Sequence, residues 1–467
     1  MLDKQLLTTL RFHSAPITCI EPFYLPSPLT YNLKGNNNET IPIFNPSLIT
    51  ADESGLIIWW NLSSRRPLGI WKGHDDSILT IKQLGINWTL SENSNRFKIP
   101  QLTVSYGQLL THSKDGSIKI WKLIDLLDES NSQFIYSSIL KKKISCTDEE
   151  LMKITPPKLY ELPVNTLNFT NIDINSQNKL ITPATVDSES WDLYEIDLTQ
   201  TDEFKKLKRL IQNYRYQEIS NDEVQRHLSN DSTDLNLTQR GGNGVIMKIK
   251  WINNTRFIIG YENGKVIIYE IIENLNNIQC LIIHEDSSLF GNPITSITID
   301  NNNNKLLWAS SASKVCILDI STDNFEKPII FETKHKGIAD IDVDFSTNSI
   351  GLITWDGYTR LYEYDEQNGM KFVFKIRRQL PTIFNSKEAV DYENNEGGHS
   401  NKLQTQRASI IKFTEKQIDL NNNKDIKINY TNGLSKNVVK RNREEIYRER
   451  WMFVGYHDGK IAVYSIK

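Results

Sequence analysis

Short apolar alternations, each opened by a tight polar turn, recur along this chain. In THSKDGSIKIWKL, residues 111–123, the turn Asp115-Gly116 opens a strand of period two that ends on Trp121, five positions after the glycine. The frame returns as SGLIIWW (54–60), NGKVIIY (263–269), DGYTRLY (356–362) and DGKIAVY (458–464), and in weaker form as SESWDLY (188–194) and ASKVCIL (312–318). A second signal, a turn followed by an apolar strand, precedes each of the seven: HSAPITCI (13–20), GHDDSILTI (73–81), PVNTLNF (163–169), GVIMKI (244–249), NPITSITI (292–299), HKGIADI (335–341) and ASIIKF (408–413). Start and end signals alternate without exception, which predicts seven copies of one all-β unit.

His74, Ser113, Asp115 and Trp121 fall in order within one unit, and His335, Thr354, Asp356 and Tyr362 repeat that order in the sixth. The shortest intervals between strand ends approach a period of roughly 40–45 residues. On these residues and this period the chain resembles the WD-repeat β-propellers. The resemblance implies one seven-bladed ring over residues 1–467, with four strands per blade. It also implies that His74, Ser113, Asp115 and Trp121 form a hydrogen-bonded chain inside the second blade, with His335, Thr354, Asp356 and Tyr362 as its partial copy. Such a chain satisfies polar groups whose burial would otherwise cost on the order of 1–3 kcal/mol each. No outer strand fits after Tyr464, whereas residues 5–12 form a lone strand before the first start signal. The N-terminal strand is therefore expected to complete the last blade, join the two chain ends and remove a sheet edge.

Insertions interrupt the period. DEFKKLKRLIQNYRYQEI places Phe204, Leu207, Leu210, Ile211 and Tyr214 on one face of a helix. This predicts a short amphipathic helix in the insertion 203–230, packed on the edge of the ring or docking a partner. Segments 385–406 and 421–450 are poor in apolar residues and read as flexible loops.

Charge narrows the function classes. The 54 basic and 57 acidic residues give a formal charge of −3, so no global field points to nucleic acid or to a membrane surface. The N-terminus lacks a signal-peptide core, and no stretch approaches the roughly 20 apolar residues of a membrane span, which leads us to expect a soluble intracellular protein. Cys19, Cys146, Cys280 and Cys316 are scattered without metal-ligand spacing, so neither a metal nor another cofactor is expected.

Ser113, His112 and Asp115 together invite a hydrolase reading, yet Ser113 lies on no strand-to-helix elbow and the glycine after Asp115 opens a strand. RGGNG, residues 240–244, resembles a phosphate-cradling loop but is followed by the strand-like VIMKIKWI, where that chemistry needs a helix. The basic run KNVVKRNR, 436–443, is interrupted downstream by glutamates and reads as a solvated loop or an import signal. Trp59, next to the loop residues Arg65 and Arg66, reads either as a partner contact or as packing between blades, with packing preferred.

A narrower resemblance rests on LRFHSAPIT (10–18), on GLIIWWNLSSRRP (55–67) through WKGHDDSIL (71–79), and on LPVNTLNF (162–169) followed by TPATVDSESWDLY (182–194). These segments resemble the fungal ASTRA-associated family of WD-repeat proteins, related to the G-protein β-subunit-like proteins. That resemblance implies a non-enzymatic interaction scaffold without cofactors, present as one copy in a hetero-complex. It implies a nuclear location, with the cytoplasm as a second. It further implies other ASTRA and co-chaperone subunits as partners, and a link to chromatin remodelling and to maturation of phosphatidylinositol-kinase-related kinases. The alternative for the same fold is a substrate receptor of a ubiquitin ligase.

Overall fold

The computed structural model describes residues 4–33, 40–62, 64–91, 94–103, 105–128, 133–136, 154–165, 170–197, 207–215, 243–272, 278–284, 291–300, 304–322, 325, 327–335, 337–344, 348–365, 369–379, 405–414, 426–430 and 450–466. These build seven antiparallel sheets arranged as blades of a propeller, and among the described residues there is no helix. Each blade runs from an inner first strand to an outer fourth. The inner strands of the first six are Ile17–Leu33, Ile78–Gln83, Asp173–Ile174, Ile246–Trp251, Ile294–Asp300 and Ile338–Asp344.

The seventh blade takes Ala408–Phe413, Arg450–Tyr456 and Lys460–Ile466 from the C-terminal part and Lys4–Arg11 from the N-terminus. Leu10 lies opposite Ile461 and Arg11 opposite Lys460, so the chain's two ends share one hydrogen-bonded ladder. The expected closure is present, and it covers the edge of Lys460–Ile466 that would otherwise be open to other chains.

Blades are apolar on both faces because each face meets a neighbour. Trp59 and Trp60 are successive residues of the strand Leu56–Asn61 and point to opposite faces. Trp59 enters the seam with the second blade, beside Trp71, Ile78 and Trp121. Trp60 enters the seam with the seventh, beside Phe453 and Val463. Equivalent seams lie between every other pair of neighbours, so the core is a closed succession of seven interfaces. Close approach is needed at some of them: a Cβ on Gly455 would fall 2.8 Å from Ile17 of the next blade's inner strand.

The predicted helix is a strand. Leu207–Tyr214 is the outer strand of the third blade, paired with Trp191–Ile196. The remainder of 203–230, apart from Arg215, lies outside the described residues. Two register shifts explain the misleading pattern. Three residues on this strand span from the partner of Trp191 to that of Leu193, and a second shift follows immediately. Bulges of this kind break period two. Leu207, Leu210, Ile211 and Tyr214 therefore face the blade at a spacing that mimics a helical turn.

Of the expected loops, 385–404 lies outside the described residues, while Thr405–Gln406 pairs with Arg378–Gln379. Within 421–450, Ile426–Tyr430 forms a strand on Leu29–Leu33 of the first blade, so this segment is not loop throughout.

Candidate protein-interaction site

Antiparallel alternation divides the ring's loops between two faces. Turns between second and third strands, and connections into the next inner strand, lie on one face; the remaining turns lie on the other. The first face carries the histidine and aspartate of each blade relay.

In the second blade His74 Nδ1 lies 2.9 Å from Asp115 Oδ2, and His74 Nε2 lies 2.7 Å from the Thr111 hydroxyl. Trp121 Nε1 donates to that same hydroxyl at 2.9 Å. The hydroxyl between histidine and indole is thus Thr111 and not Ser113. Register supplies the reason: Trp121 lies opposite Leu109, and Thr111 opposite Lys119, so the indole folds along its neighbour strand and meets Thr111 first. Ser113, nearer the turn, donates to the Asp76 carbonyl at 2.9 Å. Burial pushes the His74 imidazole below its ordinary value although Asp115 pulls the other way. Burial opposes ionisation of Asp115, but hydrogen bonds from Ser117 and His74 hold the carboxyl low.

A second full relay, not anticipated, occupies the first blade. His13 Nδ1 is 2.7 Å from Asp52 Oδ2, His13 Nε2 is 2.8 Å from Thr50 Oγ1, and Trp60 Nε1 donates to Thr50 Oγ1 at 2.9 Å. Acid and serine have exchanged places. Counted from the turn glycines Gly55 and Gly116, Asp52 occupies the position of Ser113, and Ser54 that of Asp115. Asp52 Oδ1 accepts from the Ser54 backbone at 2.9 Å and hydroxyl at 2.7 Å, which leaves Oδ2 for the histidine.

The sixth blade departs from its expected copy. His335 Nδ1 stands 3.9 Å from Asp356, with its side chain 42% exposed. Arg360 takes the histidine's place: its Nη1 donates to Asp356 Oδ1 at 2.9 Å, its Nη2 to Oδ2, and it also bonds Thr354, whose hydroxyl donates to Asp356 at 2.6 Å. A fork of two donors matches a carboxylate better than one imidazole nitrogen does. The Tyr362 ring packs edge-on against Phe372, with centroids 5.7 Å apart.

The other sequence candidates separate. Ser113's proton is held by a backbone carbonyl, and His112, on the opposite face of the strand, is buried with no partner for Nδ1 among the described residues. Burial, with His74 adding to it, pushes His112 down to about 3, so its ring is neutral. Ser113 and His112 therefore form no nucleophile–base pair. Trp59 is fully buried, donates to the Ser47 hydroxyl at 2.8 Å and meets Phe23 edge-on, which removes it as a partner contact. Trp59 stands in the middle of its strand and packs into the seam with the second blade. Arg65 and Arg66 are exposed on the turn before Arg66–Lys72, on the face opposite the relays.

Gly244 leads into the strand Ile246–Trp251, whereas residues 240–242 and the basic run 436–443 lie outside the described residues. Cys19 and Cys316 are buried, and burial pushes the Cys19 thiol up to about 12. Among the described residues no cluster of His, Cys, Asp and Glu could hold a metal, and no helix is long and apolar enough to cross a membrane.

The channel holds a charge cluster that sequence reasoning passed over. A cavity of about 310 Å³ is lined by Glu21, Lys82, Asp173, Lys250, Asp342 and Lys412, drawn from six inner strands. The charges alternate in sign around the ring except at the fifth blade, where Thr298 stands. Lys82 Nζ is 2.5 Å from Asp173, and Lys412 Nζ is 3.2 Å from Asp342. Asp173 and Asp342 also accept backbone N–H groups of the following blade, from Trp251 and Phe413, both at 2.8 Å. Glu21 meets the Gln83 N–H in the same way, and burial raises its carboxyl against the pull of three lysines. Perturbed carboxylates occur at catalytic sites and in structural ion-pair networks alike. Here each one stitches two inner strands together, which assigns the cluster to the architecture.

Comparison with known proteins agrees with this picture. The family described as "ASTRA-associated protein 1" matches residues 6–464. Relatives of that name share 31% identity in Komagataella phaffii, over 98% of this chain and 96% of the relative, and 28% in Debaryomyces hansenii, over 98% and 99%. Among solved structures, the Myceliophteria thermophila Cps50 (Swd1) β-propeller domain superposes with a TM-score of 0.54 at 10% identity, over the whole of both chains. Chaetomium thermophilum Raptor superposes with 0.53 at 9%, over 99% of this chain and 29% of Raptor. At such identities the two structures show the fold alone.

Proposed function

The chain belongs to the ASTRA-associated protein 1 family, and from that membership we propose that it serves as a rigid, non-enzymatic scaffold subunit of an ASTRA assembly. The observation that carries the reading is the extent of the family match, which spans all seven blades together with the closing strand. In this reading the blade relays and the channel charges keep the ring stiff, and the loops of its two faces hold other subunits. One copy joins ASTRA and co-chaperone subunits in the nucleus, with a cytoplasmic pool. The assembly supports chromatin remodelling and the maturation of phosphatidylinositol-kinase-related kinases.

Rapid depletion of the chain in cells tests this. A maturation scaffold predicts that newly made kinases of this class fall in abundance, because their folding loses its assembly platform. A ubiquitin-ligase receptor predicts the opposite sign, with its substrates accumulating. Unchanged kinase levels would refute the maturation role.

A further inference from the structure

The carboxylates of the channel have their hydrogen-bond donors, but its ammonium groups have donors to spare. Asp173 accepts from Lys82 at 2.5 Å and from the Ile174 and Trp251 N–H groups at 3.0 and 2.8 Å. Asp342 accepts from the Thr298 hydroxyl at 3.1 Å, from Lys412 at 3.2 Å and from the Phe413 N–H at 2.8 Å, and Glu21 accepts the Gln83 N–H. Each lysine brings three N–H bonds. Lys82 uses two, on Asp173 and the Ile174 carbonyl, and Lys412 uses one. Lys250 uses none, because the Asp173 carboxylate it faces stands 3.9 Å away, beyond hydrogen-bond reach. Six of the nine N–H bonds thus have no acceptor among the described residues.

The three lysines line one cavity of about 310 Å³, at the lower end of the size that holds small ligands. The side chains of Lys82, Lys250 and Lys412 are 29%, 37% and 33% exposed, so a solute can reach them. Trp251, Ile299 and Phe413 supply an apolar wall. Charge alone does not choose the ligand, since the ring holds three groups of each sign. Hydrogen bonding does choose. A cation would compete for carboxylates that are already bonded, whereas an oxyanion would meet free donors. The local field leans the same way. Asp173 draws the Lys250 ammonium up, yet desolvation and the charges of Lys82 and Lys412 leave it below its ordinary value, and burial pushes the Glu21 carboxyl up toward its neutral form.

We propose that the channel binds a tetrahedral oxyanion of the phosphate type, free or carried on a small ester, with Lys250 as its main donor and Lys412 and Lys82 completing the seat. Donors arriving from three blades suit four oxygens in space better than the two coplanar oxygens of a carboxylate, and each such bond is charge-assisted. The ion would link the inner strands of the second, fourth and seventh blades, which are not neighbours. This goes beyond the scaffold reading and does not depend on which subunits the ring holds.

Equilibrium dialysis of the purified full-length chain against labelled inorganic phosphate, in chloride buffer of fixed ionic strength, tests the site. One phosphate should bind per chain, and Lys250→Gln should weaken it at least ~10-fold while Lys250→Arg retains it. Since Lys250 makes no hydrogen bond to the described residues, Lys250→Gln should keep the wild-type unfolding midpoint in phosphate-free buffer. Added phosphate should then raise the wild-type midpoint more than that of the variant, a comparison that cancels the general salting effect of the ion. Phenyl phosphate identifies the source: tighter binding than inorganic phosphate indicates an ester lying on the apolar wall, and equal or weaker binding indicates the free ion. No saturable phosphate binding up to ~10 mM, or binding that Lys250→Gln leaves unchanged, would overturn the proposal.

Discussion

Replacing Thr111 with valine isolates what the relay contributes to stability. The side chain is fully buried, and valine keeps its β-branched shape, so no cavity opens and no backbone strain enters. What disappears is one oxygen that serves two groups, His74 Nε2 at 2.7 Å and Trp121 Nε1 at 2.9 Å. Each of these buried polar atoms is then unsatisfied, at about 1–3 kcal/mol apiece. We expect a total near 3 kcal/mol, at the low end of the sum because the imidazole can shift toward Asp115. Ser113→Ala should cost less, about 1–2 kcal/mol, since the hydroxyl it removes donates to the Asp76 carbonyl at 2.9 Å and accepts the Asp115 N–H at 3.2 Å beside the turn. Urea unfolding followed by tryptophan fluorescence measures both. In a Trp121→Phe background the cost of Thr111→Val should shrink, because one of the two orphaned groups is already gone. A Thr111→Val protein within ~0.5 kcal/mol of wild type, or more stable than Ser113→Ala, would refute the role given to the hydroxyl.

Three further outcomes follow from the same geometry. Asp52→Ser should lower the unfolding free energy by about 2 kcal/mol, and adding Ser54→Asp, which recreates the second blade's arrangement, should recover at least half of it; a double variant as unstable as the single one would disprove positional equivalence. His112 is held neutral with its pKa lowered to about 3, so its contribution is complete above the unfolded value near 6.5 and is lost as pH falls toward 3. Stability should drop by about 2 kcal/mol between pH 7 and pH 5 from this group, and His112→Phe should flatten the profile; an unaltered slope in the variant would contradict its burial as a neutral ring. Asn213 sits at a φ of 51° in the bulged outer strand of the third blade, so Asn213→Gly should be tolerated and Asn213→Val should cost about 1–2 kcal/mol, whereas a helix at 207–214 would make glycine the more harmful change.

The seven units and their closure were legible because their signals are local: a turn glycine, a strand of period two and an aromatic at its end. The relays were only partly legible. Thr111 and Ser113 share one face of a strand, and the choice between them depends on where the partner strand's indole lies, which register decides. In the first blade the acid had moved from its usual place beside the glycine, so Asp52 did not match the pattern although His13, Thr50 and Trp60 did. In the sixth, Arg360 displaced a histidine that the order of residues alone had favoured. Leu207–Tyr214 failed for a different reason, since two bulges produced a helical spacing within a strand. The channel ring was within reach. Glu21, Lys82, Lys250, Asp342 and Lys412 each stand four residues after their inner strand opens, and aligning the repeats on that strand would have set them in one column.

Affinity purification of the full-length chain from its own cells, read by mass spectrometry, tests the scaffold assignment most directly. The account predicts recovery of ASTRA and co-chaperone subunits in amounts comparable to the chain itself, lost when the ring is unfolded. Repeated purification without those subunits, or with cullin-type ligase components in their place, would contradict it.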